Sequence, residues 1–380
     1  MRRVLILALA TCTLAAAQRM VNPDRLRDFA GQLDAPAEGE QPLGCQVSPT
    51  SPRLNYSLRY QAGYRATVPL NQYDAKKHGW AILTRITPRG GERKPVYLVS
   101  QVALQPAIRT HDPAWMGGAY LVGEGVYDVK WIAVDDAGRV CRKSWRVDVH
   151  PSRADRGVKV AMPPDTVWDM ALRGARMAPR ETGDRLAGRF TVFLHAAPLM
   201  EQRTRMTPGD TAMLLSTVSA LMERLAAPSV RLVVFNLDLQ KELYRKDDFV
   251  ARDLAQVARE IGQIELGLVN FAVLKNKGGR VDLLADLVNR EMEAQPASDA
   301  ILFLGPHSRY FDNVPAAGWE KRPGHGPEIC YFQLVPTIGG QALMTDTIAH
   351  AVARLGGKTI PIHTPSEYAK AIGRLEREAR

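Results

Sequence analysis

Histidine and serine side chains gather where predicted buried strands end in the second half of the chain. His195 follows the apolar run 191–194, and His307 and Ser308 follow a similar run, with His325 further along the same loop. Ligands of open α/β sheets bind at the carboxyl ends of the strands, so these positions decide whether the region does chemistry. Three histidines in one region are a candidate zinc site, and a histidine with a serine is a candidate hydrolase pair.

The spacing of these residues matches no catalytic or metal-binding motif. The sequence contains no HxH or HExxH pattern, no G-x-S-x-G nucleophile elbow and no phosphate-binding glycine loop. Gly278-Gly279 precedes a predicted helix and suits an anion, but a structural turn explains the pair equally well. We therefore predict a non-catalytic protein without cofactor or metal. The alternative is an envelope hydrolase or metal-binding enzyme that uses His195, His307 or Ser308.

Alternating strand and helix patterns must position these residues. The strand 191–194 is followed by a helix from Pro208, with Thr207 as its N-cap, and by a second buried strand at 230–235. Further buried strands are predicted at 299–304, 329–335 and 358–362, with helical patterns between them. Residues 241–245 are predicted to form a short antiparallel edge strand, and 268–274 another extended piece. The alternation predicts an α/β domain over 187–380, with a doubly wound, mostly parallel sheet of the vWA or Rossmann kind.

Three short segments carry a family resemblance. Val233-Val-Phe-Asn236 is similar to the "VxF" second strand of von Willebrand factor A (vWA) domains, and Lys277-Gly-Gly-Arg280 lies where that family has "GGT" before its fourth helix. Ile301-Leu-Phe-Leu-Gly-Pro306 lies where the family has an apolar strand ending in Asp-Gly. Residues 187–380 thus resemble a vWA domain, and the whole chain resembles vWA-related exported bacterial proteins.

The resemblance implies a metal-ion-dependent adhesion site, and this sequence departs from it. The family holds Mg²⁺ with an Asp-x-Ser-x-Ser loop, a Thr and an Asp, all hard oxygen ligands. Here the loop is His195-Ala-Ala-Pro-Leu199, Arg280 occupies the Thr position and Gly305 the Asp position. A degenerate site without metal is therefore expected. The Arg280 guanidinium either replaces the cation by pairing with a partner's carboxylate or simply faces solvent.

The long stretch 306–327 is the preferred interaction surface, because long loops in compact domains are often functional. A variable surface loop is the alternative. We expect a protein partner to bind at the carboxyl-edge loops of the sheet. The candidate binding residues are His195, Arg280, Gly305, His307, Arg309, Tyr310 and Trp319.

The first half of the chain has period-two patterns that predict short strands. The clearest is 125–134, a turn with Gly138, and 139–149, which together predict a hairpin. Regular short strands predict an immunoglobulin-like β-sandwich over 54–150, in which Tyr127 occupies about the place of the corner tyrosine. Aromatic residues there (Trp80, Trp131 and Trp145) suit core packing, with a carbohydrate-binding platform as the alternative. Cys45 and Cys141 are the candidate disulfide, because they lie at opposite ends of this domain.

The N-terminus has the pattern of an export signal. Arg2 and Arg3 precede an apolar run, and Ala15-Ala-Ala17 before Gln18 suits signal cleavage. We predict a signal peptide over 1–17, a polar linker over 18–53, a second linker over 151–186 and a periplasmic or secreted protein.

The charge pattern points away from nucleic acid. The net charge of +10 is scattered among acidic residues with no long basic block, so we predict no nucleic-acid partner. No stretch has the length and apolar composition of a transmembrane segment. The sequence leaves the oligomeric state open.

Overall fold

We describe the chain from a computed structural model. The structure describes residues 18–22, 31, 33–34, 40–74, 76–104, 113–170, 188–225, 229–267, 271–315, 326–336 and 346–378. The predicted signal peptide, Trp319 and His325 lie outside these residues.

The described residues belong to two compact units. The first lies within Met1–Arg53, Tyr60–Pro151 and Met162–Ala171, and the second within Leu54–Arg59, Ser152–Ala161 and Leu172–Arg380. The stretch 18–53, predicted as a linker, supplies one strand and most of another to the first unit.

The first unit consists of two antiparallel sheets. Its strands are β1 (Arg19–Val21), β2 (Gln46–Leu54), β3 (Tyr60–Pro69), β4 (His78–Pro88), β5 (Val96–Leu104), β6 (Pro113–Val122), β7 (Gly125–Asp135), β8 (Val140–Val149) and β9 (Val167–Asp169). The sheet orders are β1-β5-β4-β7-β8 and β2-β3-β6-β9. The predicted hairpin is confirmed, because β7 and β8 pair antiparallel across a turn in which Gly138 has a φ of 78°. A φ in this range suits glycine, which lacks the Cβ that opposes it.

Alternating side chains of these strands fill the core of the first unit. Tyr64 and Trp131 are buried with an edge-to-face geometry, their ring centroids 5.5 Å apart. A disulfide joins Cys45 to Cys141 beside this cluster, with a Cα–Cα distance of 6.3 Å. The Tyr127 hydroxyl donates to the Gly123 carbonyl at 2.9 Å, a bond that ties the start of β7 to the residues before it.

The second unit contains a six-stranded mixed sheet. Its strands are β10 (Arg189–His195), β11 (Ser229–Asn236), β12 (Lys241–Lys246), β13 (Ala300–Pro306), β14 (Glu328–Leu334) and β15 (Lys358–Ile362). The order is β12-β11-β10-β13-β14-β15, and β12 pairs antiparallel with β11 as predicted, while the other pairings are parallel. The described helices are α1 (Pro208–Leu225), α2 (Leu254–Gly262), α3 (Phe271–Lys275), α4 (Gly279–Met292), α5 (Thr347–Arg354) and α6 (Pro365–Glu378).

Helices cover both faces of this sheet, because its central strands are apolar throughout and need burial on both sides. Val192 and Leu194 of β10 belong to a buried cluster that contains residues of α1, α2 and α6. Phe193, which points the other way, belongs to a second cluster with residues of α4 and α5. β10 thus lies at the centre of the sheet and carries its final residue, His195, to the sheet edge.

The predicted fold class is wrong. Among the described residues the structure is mostly β, with 41% in strands and 25% in helices, and the three sheets that they form are antiparallel or mixed. It is not a chain with a doubly wound parallel α/β vWA fold. The strand and helix alternation after residue 187 applies only to the second unit, whereas β1 to β9 form the two sheets of the first unit.

The prediction for one element is also wrong. The piece 268–274 was predicted as extended, but Phe271–Lys275 forms the short helix α3, and 268–270 lie outside the described residues. A short apolar run does not by itself distinguish a strand from a helical turn. Within the described part of the chain, no helix combines the length and apolarity needed to cross a bilayer.

Candidate functional site

The ends of β10, β11 and β13 bring several predicted residues to one edge of the mixed sheet. These strands are direct neighbours and run parallel, so His195, Asn236 and Pro306 end side by side. Gly305 has a φ of 142°, and a Cβ there would come within 2.4 Å of the His195 carbonyl oxygen. Gly305 therefore allows the two strands to approach closely, and this backbone role explains its residue type.

His195 lies inside the protein beneath this edge. Its side chain is buried, and its Nδ1 is 2.9 Å from the Pro306 carbonyl oxygen, which accepts the hydrogen bond. Burial lowers the pKa of His195 to about 4, and the bond to Pro306 only partly offsets this effect. Nε2 is buried without a hydrogen-bond partner. The imidazole is thus neutral at pH 7 and lies in the interior.

His307 and Arg309 line a cleft at the same edge. His307 Nε2 is 2.5 Å from Glu201 Oε1, and Arg309 Nε is 3.7 Å from Asp238 Oδ2. The cleft has a cavity volume of about 10 Å³, about the space that one water molecule needs. Its lining residues are Ala197, Pro198, Glu201, Asp238, His307 and Arg309. Small-molecule sites usually measure roughly 300–1,000 Å³, so the cleft is far too small for a whole ligand and suits only one water-sized group at the end of a chain.

Asp238 is the residue of this cleft with the most unusual environment. Its side chain is 10% exposed, and Oδ1 is buried without a hydrogen-bond partner. Burial raises the pKa of the Asp238 carboxyl, while Arg309 and Arg280 act in the opposite direction. Neither Asp238 nor Glu201 is among the candidate residues predicted from the sequence. Asp238 comes two residues after β11 ends, a position that indicates a site, but no spacing links Glu201 to His307.

Ser308 has a structural role in the described contacts. Its hydroxyl donates to the Tyr310 carbonyl at 2.9 Å and accepts from the Thr347 amide at 3.0 Å. That amide belongs to the first turn of α5, so Ser308 satisfies one of the N–H groups that a helix start leaves unpaired. The buried Asp346 caps the same helix by accepting from the Ala349 amide at 2.6 Å.

Arg280 is held by its own chain. Its guanidinium forms a two-pronged ion pair with Asp312 and lies over the Tyr310 ring, 5.0 Å from the centroid. The Asp312 carboxylate raises the pKa of Arg280, so the charge is kept. Neither hypothesis for Arg280 matches this geometry, because the side chain is only 19% exposed and already pairs with a carboxylate.

Tyr310 and Phe311 are exposed on a loop whose backbone is fixed. Their exposed fractions are 51% and 52%. The Thr347 hydroxyl donates to the Tyr310 carbonyl at 3.0 Å and accepts from the Asp312 amide at 2.9 Å. The Phe311 ring stacks on His350, with centroids 5.8 Å apart. The loop therefore presents two adjacent aromatic rings from a backbone anchored to α5.

The aromatic residues considered for carbohydrate binding lie in the core of the first unit. Trp80 and Trp131 are buried, and Trp145 packs against the same cluster. Among the described residues, no group of three or more His, Cys, Asp or Glu side chains is arranged to hold a metal ion.

Comparisons with known proteins give little guidance. No protein-family model matches the chain, and no curated protein matches it. Among solved structures, an ApaA protein from Bordetella pertussis is 13% identical, with 30% of this chain and 99% of that chain covered and a TM-score of 0.21. Superoxide reductase (neelaredoxin) from Archaeoglobus fulgidus is 11% identical, with 30% and 96% covered and a TM-score of 0.21.

A β-glucosidase from Listeria innocua is 12% identical, with 28% of this chain and 16% of that chain covered and a TM-score of 0.18. Similarities this weak support no functional argument, and none of these structures indicates a vWA domain. The chemistry of the site therefore has to be inferred from its own residues.

Proposed function

We propose that this chain is an exported, non-catalytic protein that binds a protein partner through the loop 307–315. The observation that supports the proposal is the pair of exposed aromatic rings, Tyr310 and Phe311, on a hydrogen-bonded backbone. Aromatic side chains dominate the energetics of many protein interfaces, and a fixed backbone reduces the entropy lost on binding. The export pattern at residues 1–17 supports a partner in the envelope or outside the cell.

The enzymatic alternative receives no support from the same loop. A hydrolase needs an available nucleophile next to a base, whereas the Ser308 hydroxyl is engaged at the start of α5 and His195 is buried and neutral. The proposal accordingly assigns no catalytic role to His195, His307 or Ser308.

Photo-crosslinking in the producing cell tests the proposal. Benzoylphenylalanine is introduced at Tyr310, and in a matched control at Phe271, which is 74% exposed on α3. We expect one discrete crosslinked species from position 310 that is absent from position 271. Phe311→Ala should reduce its yield at least about fivefold, because truncating a residue that carries much of the binding energy costs more than about 1 kcal/mol. The same crosslinks at both positions, or none at 310, would contradict the proposal.

A further inference from the structure

The cleft next to the aromatic loop has more hydrogen-bond acceptors than donors available for a ligand. Asp238 Oδ1 is buried without a partner, and Asp238 accepts no hydrogen bond from any described residue. Glu201 uses Oε1 for His307, while Oε2 has no described partner. A buried carboxylate oxygen without a donor is costly, so it favours a ligand that brings N–H or O–H groups.

The donors of the cleft are partly engaged within the protein. Arg309 donates to the Arg203 carbonyl, and its Nε faces Asp238 Oδ2 at 3.7 Å, beyond hydrogen-bond distance. His307 Nε2 is taken by Glu201. An anionic ligand would meet two carboxyl groups and few available N–H groups, so the arrangement disfavours a phosphate or carboxylate.

The charges of the cleft point in the same direction. Two carboxyl groups, Asp238 and Glu201, share the lining with one guanidinium, Arg309, an arrangement that favours a cation over an anion. The apolar part of the lining, Ala197 and Pro198, suits a short hydrocarbon stem behind such a cation. Burial raises the pKa of Asp238 even though Arg309 and Arg280 act in the opposite direction.

We propose that the cleft binds a primary ammonium group, with Asp238 Oδ1 and Glu201 as its acceptors. The group belongs to a lysine side chain or to the N-terminal amine of the partner. This inference rests on the proposed function in so far as His307 and Arg309, which line the cleft, belong to the partner-binding loop. Binding stabilises the Asp238 carboxylate, so the affinity should rise with pH through the pKa of Asp238.

A titration with small ammonium ions tests the inference without any partner. The full chain is labelled with ¹³C at alanine methyl groups, and the Ala197 methyl, which lines the cleft, reports occupancy at pH 7. n-Butylammonium represents a lysine side chain and alaninamide an N-terminal amine. Tetramethylammonium has the same charge without N–H donors, and butyrate has a similar shape with the opposite charge.

We expect the Ala197 signal to shift and saturate with n-butylammonium, alaninamide or both, and the tighter one identifies the source. Asp238→Asn should weaken binding at least about tenfold, since hydrogen bonds to charged groups contribute roughly 1.5–3 kcal/mol. Glu201→Gln is a second variant and should weaken binding as well. Glu265→Gln, on an exposed carboxylate, is the matched control and should leave binding unchanged.

Equal responses to tetramethylammonium or butyrate, no response to either primary ammonium, or full affinity in both cleft variants would overturn the inference. The two proposals fail separately. Binding of n-butylammonium without a crosslink from position 310 would contradict only the proposed partner-binding function. A crosslink from position 310 without ammonium binding would contradict only the inference about the cleft.

Discussion

At the scale of single residues, the second unit shows how burial decides what a titratable group does. His195 and Asp238 both lie near the ends of central strands, yet one is sealed in the interior and the other lines a cleft. His195 keeps Nδ1 bonded to Pro306 and stays neutral because burial penalises the charged imidazolium. The protonation of His195 is therefore expected to change the free energy of unfolding and not the binding of a ligand.

The buried His195 should make the protein sensitive to acid. Its pKa falls from 6.5 to about 4 on folding, so between these values the unfolded chain binds a proton that the folded chain does not. Stability is therefore lost as the pH falls through this window, by about 3 kcal/mol in total. His195→Phe should remove this part of the pH dependence, since the ring still packs on Phe235 and Tyr331 still donates to Pro306.

Urea unfolding of the two proteins at pH 7 and at pH 3.5 measures the difference. Other carboxyl groups, including the buried Asp346, titrate in both proteins, so the comparison isolates the histidine. A parallel loss of stability in His195→Phe and in the original chain would show that His195 does not contribute.

At the scale of elements, a buried ion network links β10, β11 and α4. Glu291 of α4 is fully buried and accepts from Arg231 at 2.7 and 2.8 Å. The hydroxyl groups of Thr191 and Ser298 donate to the same carboxylate at 2.7 and 2.8 Å. Burial acts to raise the pKa of Glu291, but these donors lower it on balance. The network is well satisfied, so it fixes how α4 meets the two strands.

Removing one partner of this network should lower the free energy of unfolding far more than removing both. Glu291→Ala leaves the Arg231 guanidinium buried beside empty acceptor sites, and we expect a loss of about 3–5 kcal/mol in the free energy of unfolding. Arg231→Met combined with Glu291→Leu should cost less than the sum of the single changes. Glu293→Ala, on an exposed neighbour in the sequence, is the control and should change stability by less than about 0.5 kcal/mol.

Chemical denaturation of the original chain, Arg231→Met, Glu291→Leu and the double variant forms a double-mutant cycle. Additive costs for Arg231→Met and Glu291→Leu would mean that the network carries no coupling energy. A small loss in Glu291→Ala would mean that the existing ion pair of Arg231 with Asp247, together with water, is enough to hold the guanidinium charge.

Local elements were predictable from the sequence, but their partners were not. Runs such as 191–194 and 230–235 lie within β10 and β11, because apolar runs of this length need burial whatever surrounds them. The contacts that define the cleft join residues far apart in the sequence, such as His307 and Glu201, which are 106 positions apart. No periodicity encodes such a contact, since it depends on which strands become neighbours. For the same reason the fold class was misjudged from the alternation of elements alone.

At the scale of the whole molecule, the disulfide and the tryptophans belong to the same unit. Cys45 and Cys141 are 96 residues apart and join the beginning of the first unit to β8. Five of the six tryptophans lie within the ranges of that unit, and Trp319 lies within the range of the second. Tryptophan fluorescence therefore reports mainly on the unit that the disulfide closes.

Removing the disulfide should destabilise the first unit. A closed loop of about 100 residues corresponds to roughly 4–5 kcal/mol in the chain-entropy description. We expect Cys45→Ser with Cys141→Ser to lower the free energy of unfolding, followed by tryptophan fluorescence, by about 4 kcal/mol. Dithiothreitol should do the same to the original chain and leave the double variant unchanged. A change below 1 kcal/mol would mean that the denatured chain is already compact around these residues.

The two edges of the six-stranded sheet have a consequence for how the protein behaves at high concentration. β12 is charged along its length, from Lys241 to Lys246, and β15 contains Pro361. An open strand edge is a template for pairing with another chain, whereas lysine side chains must be desolvated there and a proline offers one donor fewer. The sequence of these two outer strands thus protects a highly apolar sheet from joining copies of itself into fibrils.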